Sequence, residues 1–163
     1  MQLNGIYIVL NKYIPKSQLR KKILIGWREW VEFPELGIDR IKAKIDTGAR
    51  TSTLHAFDIN PFETVAGKWK VKFQVHPIQR NNNYVLHCEA DMLDRRNVKN
   101  SGGDVELRYI IKTILYMGVT AWPIELTLTN RDAMGFRLLL GRTALNKRFL
   151  INPNKSFLIN KIR

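Results

Sequence analysis

Ile41-Lys42-Ala43-Lys44-Ile45-Asp46-Thr47-Gly48-Ala49-Arg50-Thr51 is an alternating strand that runs without a break into Asp-Thr-Gly-Ala. Period-two alternation puts Ile41, Ala43 and Ile45 on one face and Lys42, Lys44 and Asp46 on the other. One carboxylate therefore stands at the end of a rigid element. The small turn behind it aims backbone N–H groups at that carboxylate, and Gly48 offers one with no side chain in the way. Two carboxyls held close together cannot both ionise cheaply, so they share a proton. The ionised one takes a proton from water while the protonated one polarises an amide carbonyl. The chain has this device once. The expectation is amide hydrolysis by a homodimer with one Asp46 per subunit. Asp46 supplies the acid/base chemistry, and Thr47 and Gly48 orient it. The Thr47 hydroxyl suits a hydrogen bond across the subunit interface, and Ala49 is small enough to let a peptide pass.

Outward from this loop the chain reads as short strands. Ile23 to Trp27 is one. Trp30 to Phe33 and Asp39 to Ile45 form a pair around the turn Pro34-Glu35-Leu36-Gly37. A Pro/Asn/Gly-bearing passage from Asp58 to Gly67 leads to alternating runs at Lys68–Val75 and Tyr84–Ala90, with Asn81-Asn82-Asn83 as the turn between them. Ser101-Gly102-Gly103-Asp104 sits at the tip of a further hairpin. Tyr109–Leu115 and Trp122–Leu128 pair around Met117-Gly118. Phe136 to Gly141 reads as a buried strand, and Arg142 to Asn146 as a short helix. Phe149-Leu150-Ile151 and Phe157-Leu158-Ile159 flank an Asn-Pro-Asn turn. Closely spaced strands with almost no helix predict an all-β closed sheet. Residues 1–22 stand apart as a basic N-terminal arm, and residues 23–163 form one domain.

A chain of 163 residues with 45% hydrophobic content supports one domain with a real core. Cys88 is the single cysteine, which rules out an intrachain disulfide and suits a reducing compartment. The apolar run Ile6 to Leu10 is too short for a membrane span and lacks the flanks of a secretory signal. The expectation is a cytoplasmic protein without membrane contact. Twenty-seven basic against 14 acidic residues give a net charge of +13. A field of that sign attracts RNA, a ribosome surface or an acidic peptide.

The order of elements resembles the retropepsin-like (acid protease) fold: strand, Asp-Thr-Gly-Ala, Gly-rich hairpin, then Leu138-Leu139-Leu140-Gly141-Arg142. That likeness implies a closed barrel with one short C-terminal helix. It also implies that the hairpin tip from Lys99 to Asp104, with Gly102 and Gly103, is a flap over the substrate. The apolar strand ending in Gly141 would brace the catalytic loop from behind. Several stretches are similar to the RimB family of RimK-associated retropepsin-like peptidases, often labelled "ATP-dependent zinc protease". They are Ile25–Val31, Pro34–Ile38, Ala43–Ser52, Trp122–Arg131, Met134–Phe136 and Leu138–Leu145. The resemblance implies removal of glutamates that the RimK ligase adds to the C-terminus of a small-subunit ribosomal protein. An oligoglutamate substrate suits the basic charge. Lys44 and Arg50, bracketing Asp46, are the expected contacts for substrate carboxylates, with Ala49, Gly102 and Gly103 completing the binding residues. The segment from Asp58 to Val98 is longer than its counterpart in retroviral proteases and is expected to wrap the barrel, cover the site or alter dimerisation. If the two copies of Asp46 are kept apart, the chemistry needs another acid; Asp91, Asp94, Asp104, Glu89 and Glu106 are available, but none has a comparable motif.

Two other classes compete. A zinc hydrolase would need a ligand set, yet the chain has no His-Glu-x-x-His and no paired cysteines. Its histidines, His55, His76 and His87, are scattered. No Gly-rich phosphate loop is present either, and no metal or other cofactor is expected. A Cys88–His87 dyad fails because neighbours on a strand point to opposite faces. The non-enzymatic alternative is a basic adaptor for ribosomes or RNA, with Tyr7, Tyr13 and the lysines of the arm as contacts. A mere scaffold would not require an intact Asp-Thr-Gly-Ala. The tryptophans Trp27, Trp30, Trp69 and Trp122 lie in β-like runs and are read as packing residues.

Overall fold

Residues 22–99, 102–130 and 135–159 are described by the computed structural model of the chain. The expected pair around Pro34–Gly37 is present. Strands β1 (Ile23–Gly26) and β2 (Arg28–Phe33) lead into a single 3-10 turn at Pro34–Leu36. Gly37 follows at φ 69°, a left-handed position that favours glycine. The chain then returns as β3 (Ile38–Ile45), antiparallel to β2. Ile41, Ala43 and Ile45 are buried, while Lys44 is exposed on the opposite face.

After the Asp46 loop come β4 (Ser52–His55), β5 (Phe57–Glu63), β6 (Trp69–Val75) and the long β7 (Leu86–Lys99). Then follow β8 (Val105–Met117), β9 (Thr120–Thr129), β10 (Leu138–Leu140), the short helix α1 (Arg142–Leu145) and β11 (Phe149–Asn152). One sheet runs β2-β3-β10-β4-β9-β8-β7-β6-β5. Pairing of Glu32 on β2 with Tyr116 on β8 closes the six strands from β2 to β8 into the expected all-β retropepsin-like barrel. Phe33, Ile41, Leu54, Ile111, Leu115, Leu126, Leu128 and Leu138 fill its interior. The Glu35 carboxylate pins the turn to β8 by accepting hydrogen bonds from Thr113 Oγ1 (3.0 Å) and Ile114 N (2.9 Å).

The Pro/Asn/Gly-bearing passage after Leu54, not read as a strand from its composition, is one in large part. Residues 57–63 form β5, the free edge of the sheet, so Pro61 deprives no neighbour of a donor. A register shift between Phe57 and Asn60, with Asp58 at φ 48°, bends the strand as a bulge does. The inserted β5, β6 and first part of β7 prolong the sheet beyond the barrel.

A second sheet holds β1 and β11 in parallel, with Leu24 opposite Leu150. Phe157–Ile159 forms no strand. Instead the N–H groups of Leu158 and Ile159 donate to the buried carboxylate of Glu29, at 2.8 and 3.4 Å. The other N–H on that carboxylate is that of Gly26, at 2.7 Å. Of the tryptophans, Trp122 is buried and donates to Ala144 O (2.9 Å), and Trp30 stacks on Phe157, but Trp69 is 45% exposed. The basic arm expected over residues 1–22 lies, apart from Lys22, outside the described residues. Among the described residues no helix is long and apolar enough to cross a membrane.

Candidate active site

Strand β3 ends at Ile45, whose N–H donates to Trp27 O (2.9 Å). The next N–H, that of Asp46, donates to Leu140 O (2.9 Å), so the carboxyl-bearing residue is still tied to the sheet. Its side chain is half-buried. Oδ1 accepts hydrogen bonds from Gly48 N (3.1 Å) and Ala49 N (3.2 Å). This is the arrangement expected of the turn: two backbone donors fix one carboxylate oxygen. A Cβ at Gly48 would lie 3.3 Å from Asp46 Oδ1, closer than such contacts normally come, so glycine lets the carboxylate approach the turn.

Strand β10 holds the loop from behind. It lies between β3, to which it is parallel, and β4, to which it is antiparallel. The loop therefore joins two strands with a third wedged between them. Gly141 passes so close that a Cβ there would stand 2.5 Å from the Thr51 carbonyl and 2.8 Å from Arg50 O. Gly141→Ala is accordingly expected to cost about 1–3 kcal/mol by overpacking. It should also lower turnover, because the backbone that must yield belongs to the loop. Thermal denaturation and an activity assay check this; a variant as stable and active as wild type would refute the close approach.

Arg142 completes the brace. Its Nη1 donates to Thr47 O (3.0 Å) and Gly48 O (2.9 Å), and its backbone N–H donates to Ala49 O (2.9 Å). Thr143 Oγ1 donates to Arg50 O (2.9 Å). The loop's carbonyls are thus turned toward α1, which leaves its N–H groups free to face Asp46. The short strand and Gly141 were expected to brace the loop; the Arg142 side chain was not. The signal present was the cation directly after Leu138–Gly141. Glu29 was also missed, since its burial depends on residues far along the chain.

Asp46, Thr47, Gly48 and Ala49 therefore come together in one turn, with Thr47 and Gly48 exposed. Lys44 shares the face of Asp46, and exposed Arg50 leads out of the loop. Arg50 lines two basins: one of about 460 Å3 shared with Arg96 and Glu125, the other of about 670 Å3 against α1. Gly102 and Gly103 are exposed at the β7–β8 tip, Gly103 at φ 96°.

Several of the other acids are committed elsewhere. Glu89 bonds Lys70 (2.8 Å), Asp91 bonds Lys68 (2.6 Å) and Asp94 bonds Arg96 (2.6 Å). These hydrogen bonds hold all three carboxyls below their usual range, as ionised groups rather than proton-sharing partners. Glu106 is paired with Arg108 and Thr129. His55 is buried on β4 near Phe57, His76 stacks on the same ring at 4.6 Å, and His87 is exposed on β7. Cys88 is buried and donates to Leu36 O (3.3 Å), and burial pushes its thiol up to about 11, far from a nucleophile's range. Among the described residues no group of three or more His, Cys, Asp or Glu could hold a metal ion.

Two curated relatives are described as "Probable alpha-L-glutamate ligase". The one from Shewanella halifaxensis is 48% identical over 140 residues, 86% of this chain and 30% of that protein. The one from Parasynechococcus marenigrum is 46% identical over 145 residues, 89% of this chain and 31% of that protein. The chain thus spans about 30% of the length of these relatives. A solved structure of a Legionella pneumophila protein of unknown function shares the fold. It has a TM-score of 0.71 at 23% identity, covering 85% of this chain and 98% of that one. The family model described as "Retropepsin-like aspartic endopeptidase RimB" matches residues 24–162. With that match over nearly the whole barrel and the Asp46 loop, the chain belongs to the RimB-like family of retropepsin-like aspartic endopeptidases.

Proposed function

We propose that the protein is an aspartic-type peptidase that hydrolyses amide bonds in an acidic, oligoglutamate C-terminal tail of a ribosomal protein in the cytoplasm. The observation that carries this reading is the Asp46 carboxylate, fixed through Oδ1 by Gly48 and Ala49 and flanked by Lys44 and Arg50. Family membership supports the reaction class. The name of the curated relatives supports glutamate as the residue handled, because a stretch like this chain forms part of proteins so described. The net charge of +13 supports an acidic substrate, drawn in by long-range attraction.

In this reading two protomers present their Asp46 loops to one another, and Thr47, exposed beside Asp46, faces the partner. The two carboxyls act together on one water. One takes a proton from the attacking water and the other donates to the scissile carbonyl. Lys44 and Arg50 orient substrate carboxylates, and the hairpin tip with Gly102 and Gly103 closes over the chain.

The test is incubation of the protein with a peptide ending in several glutamates, read by mass spectrometry. Shortened tails are expected, with the rate falling as salt screens capture and unaffected by a chelator. Activity lost to the chelator and restored by zinc would overturn the mechanism. A tail left intact at all protein concentrations, alongside RNA binding, would replace the peptidase with the adaptor.

A further inference from the structure

The basin against α1 has a lining unlike the rest of the surface. It measures about 670 Å3 and opens beside Thr47 of the catalytic loop. Lys22, Arg50, Arg142 and Lys147 line it, and among the described lining residues there is no carboxylate. On β6 and β7, by contrast, Lys70 and Arg96 are paired with Glu89 and Asp94, and Lys68 just before β6 with Asp91. Here four cations converge with none of the acids that quench charge on β6 and β7. Like charges in one concavity repel, and an anionic ligand relieves that repulsion.

A second observation comes from the backbone. Lys147, just past the end of α1, sits at φ 63°. That left-handed position suits glycine, and a lysine there is strained. Strain kept at a position where glycine would relieve it points to a use for the side chain. A third concerns Arg142. A guanidinium carries five N–H donors, and the loop carbonyls of Thr47 and Gly48 engage Nη1. One side chain thus touches both the basin and the loop that holds Asp46.

We infer that this basin is a subsite for carboxylates of the acidic peptide at a distance from the cleaved bond, with Lys22, Arg142 and Lys147 as its cations. The inference rests on the peptidase reading above and adds where the rest of the tail is held. Two features favour a peptide over a nucleic acid. The basin adjoins a loop whose family acts on peptides. Its wall also includes the apolar Leu145 and Phe149, which suit the methylenes of a glutamate side chain. Arg50 also lines the basin of about 460 Å3, so one cation is common to both hollows. An extended acidic chain crossing Asp46 would therefore meet positive charge for several residues, so longer tails bind more tightly than short ones.

The test measures binding of an oligoglutamate peptide to the full chain bearing Asp46→Asn, so that nothing is turned over. Lys22→Ala and Lys147→Gly are each expected to weaken binding about threefold, and about tenfold together, as for single exposed ion pairs. Lys147→Gly should do so without lowering the melting temperature, because glycine relieves the left-handed strain; a merely structural lysine would not combine weaker binding with retained stability. Unchanged oligoglutamate affinity in the double variant overturns the subsite, while cleavage by the Asp46 protein shows that the peptidase reading survives. No binding of oligoglutamate to the parent overturns both. A single-stranded RNA probe whose affinity falls in the double variant while oligoglutamate affinity does not would reassign the basin to nucleic acid.

Discussion

Asp46→Asn is expected to leave the barrel intact and to lower hydrolysis of a glutamate-tailed peptide by about three orders of magnitude or more, at the upper end of what a general acid–base group supplies. The asparagine carbonyl oxygen can still accept the hydrogen bonds that Gly48 and Ala49 give to Oδ1. The turn therefore keeps its shape. What is lost is the ability to take and return a proton, and in a homodimer it is lost from both loops at once. Circular dichroism and thermal denaturation report the fold, and product analysis reports the chemistry. Turnover that survives the substitution would mean that another group activates water. Inactivity accompanied by a collapse of the fold would mean that the loop depends on the charge rather than on the acceptor.

The second large effect falls far from the chemistry. Glu29 is fully buried, and its carboxylate gathers N–H groups from Gly26, Leu158 and Ile159. Glu29→Ala strands these donors and leaves a void. Hydrogen bonds to charged groups contribute roughly 1.5–3 kcal/mol each, and unsatisfied buried donors cost a similar amount. A loss of about 3 kcal/mol is a conservative expectation. For a chain of this size that corresponds to a fall in Tm of roughly 6–12 °C. Glu29→Gln, which keeps two of the acceptor contacts within reach, should cost less. A melt of Glu29→Ala within the error of wild type would show that residues 157–159 are not anchored there.

The barrel was legible because its strands announce themselves locally. Ile41, Ala43 and Ile45 alternate with Lys42 and Lys44, and the turn at Pro34–Gly37 has the residues its geometry demands. Asp46-Thr47-Gly48-Ala49 was legible because its hydrogen bonds run within four consecutive residues. What sequence did not disclose is what only distant pairing creates. Strand β5 hides behind Asn60 and Pro61, which suit a free edge but give no strand signal of their own. Phe157–Ile159 has strand composition, yet the N–H groups of Leu158 and Ile159 go to a side chain. Glu29, in a run of β-like residues, reads as a solvated acid until the C-terminal segment covers it. Lys22, Arg142 and Lys147 are scattered basic residues until the sheet of β1 and β11 and the helix α1 bring them around one hollow.

The wedge of β10 between β3 and β4 sets a timetable for synthesis. The guanidinium that steadies the loop is 95 residues downstream of Thr47. A nascent chain that has not yet delivered Leu138–Leu140 has an empty slot where the loop should be backed, and contacts so remote in sequence form slowly. The Asp46 loop therefore reaches the geometry described above only after Leu138–Leu140 and Arg142 have been made. Until then the carboxylate stands on a loop with no strand behind it.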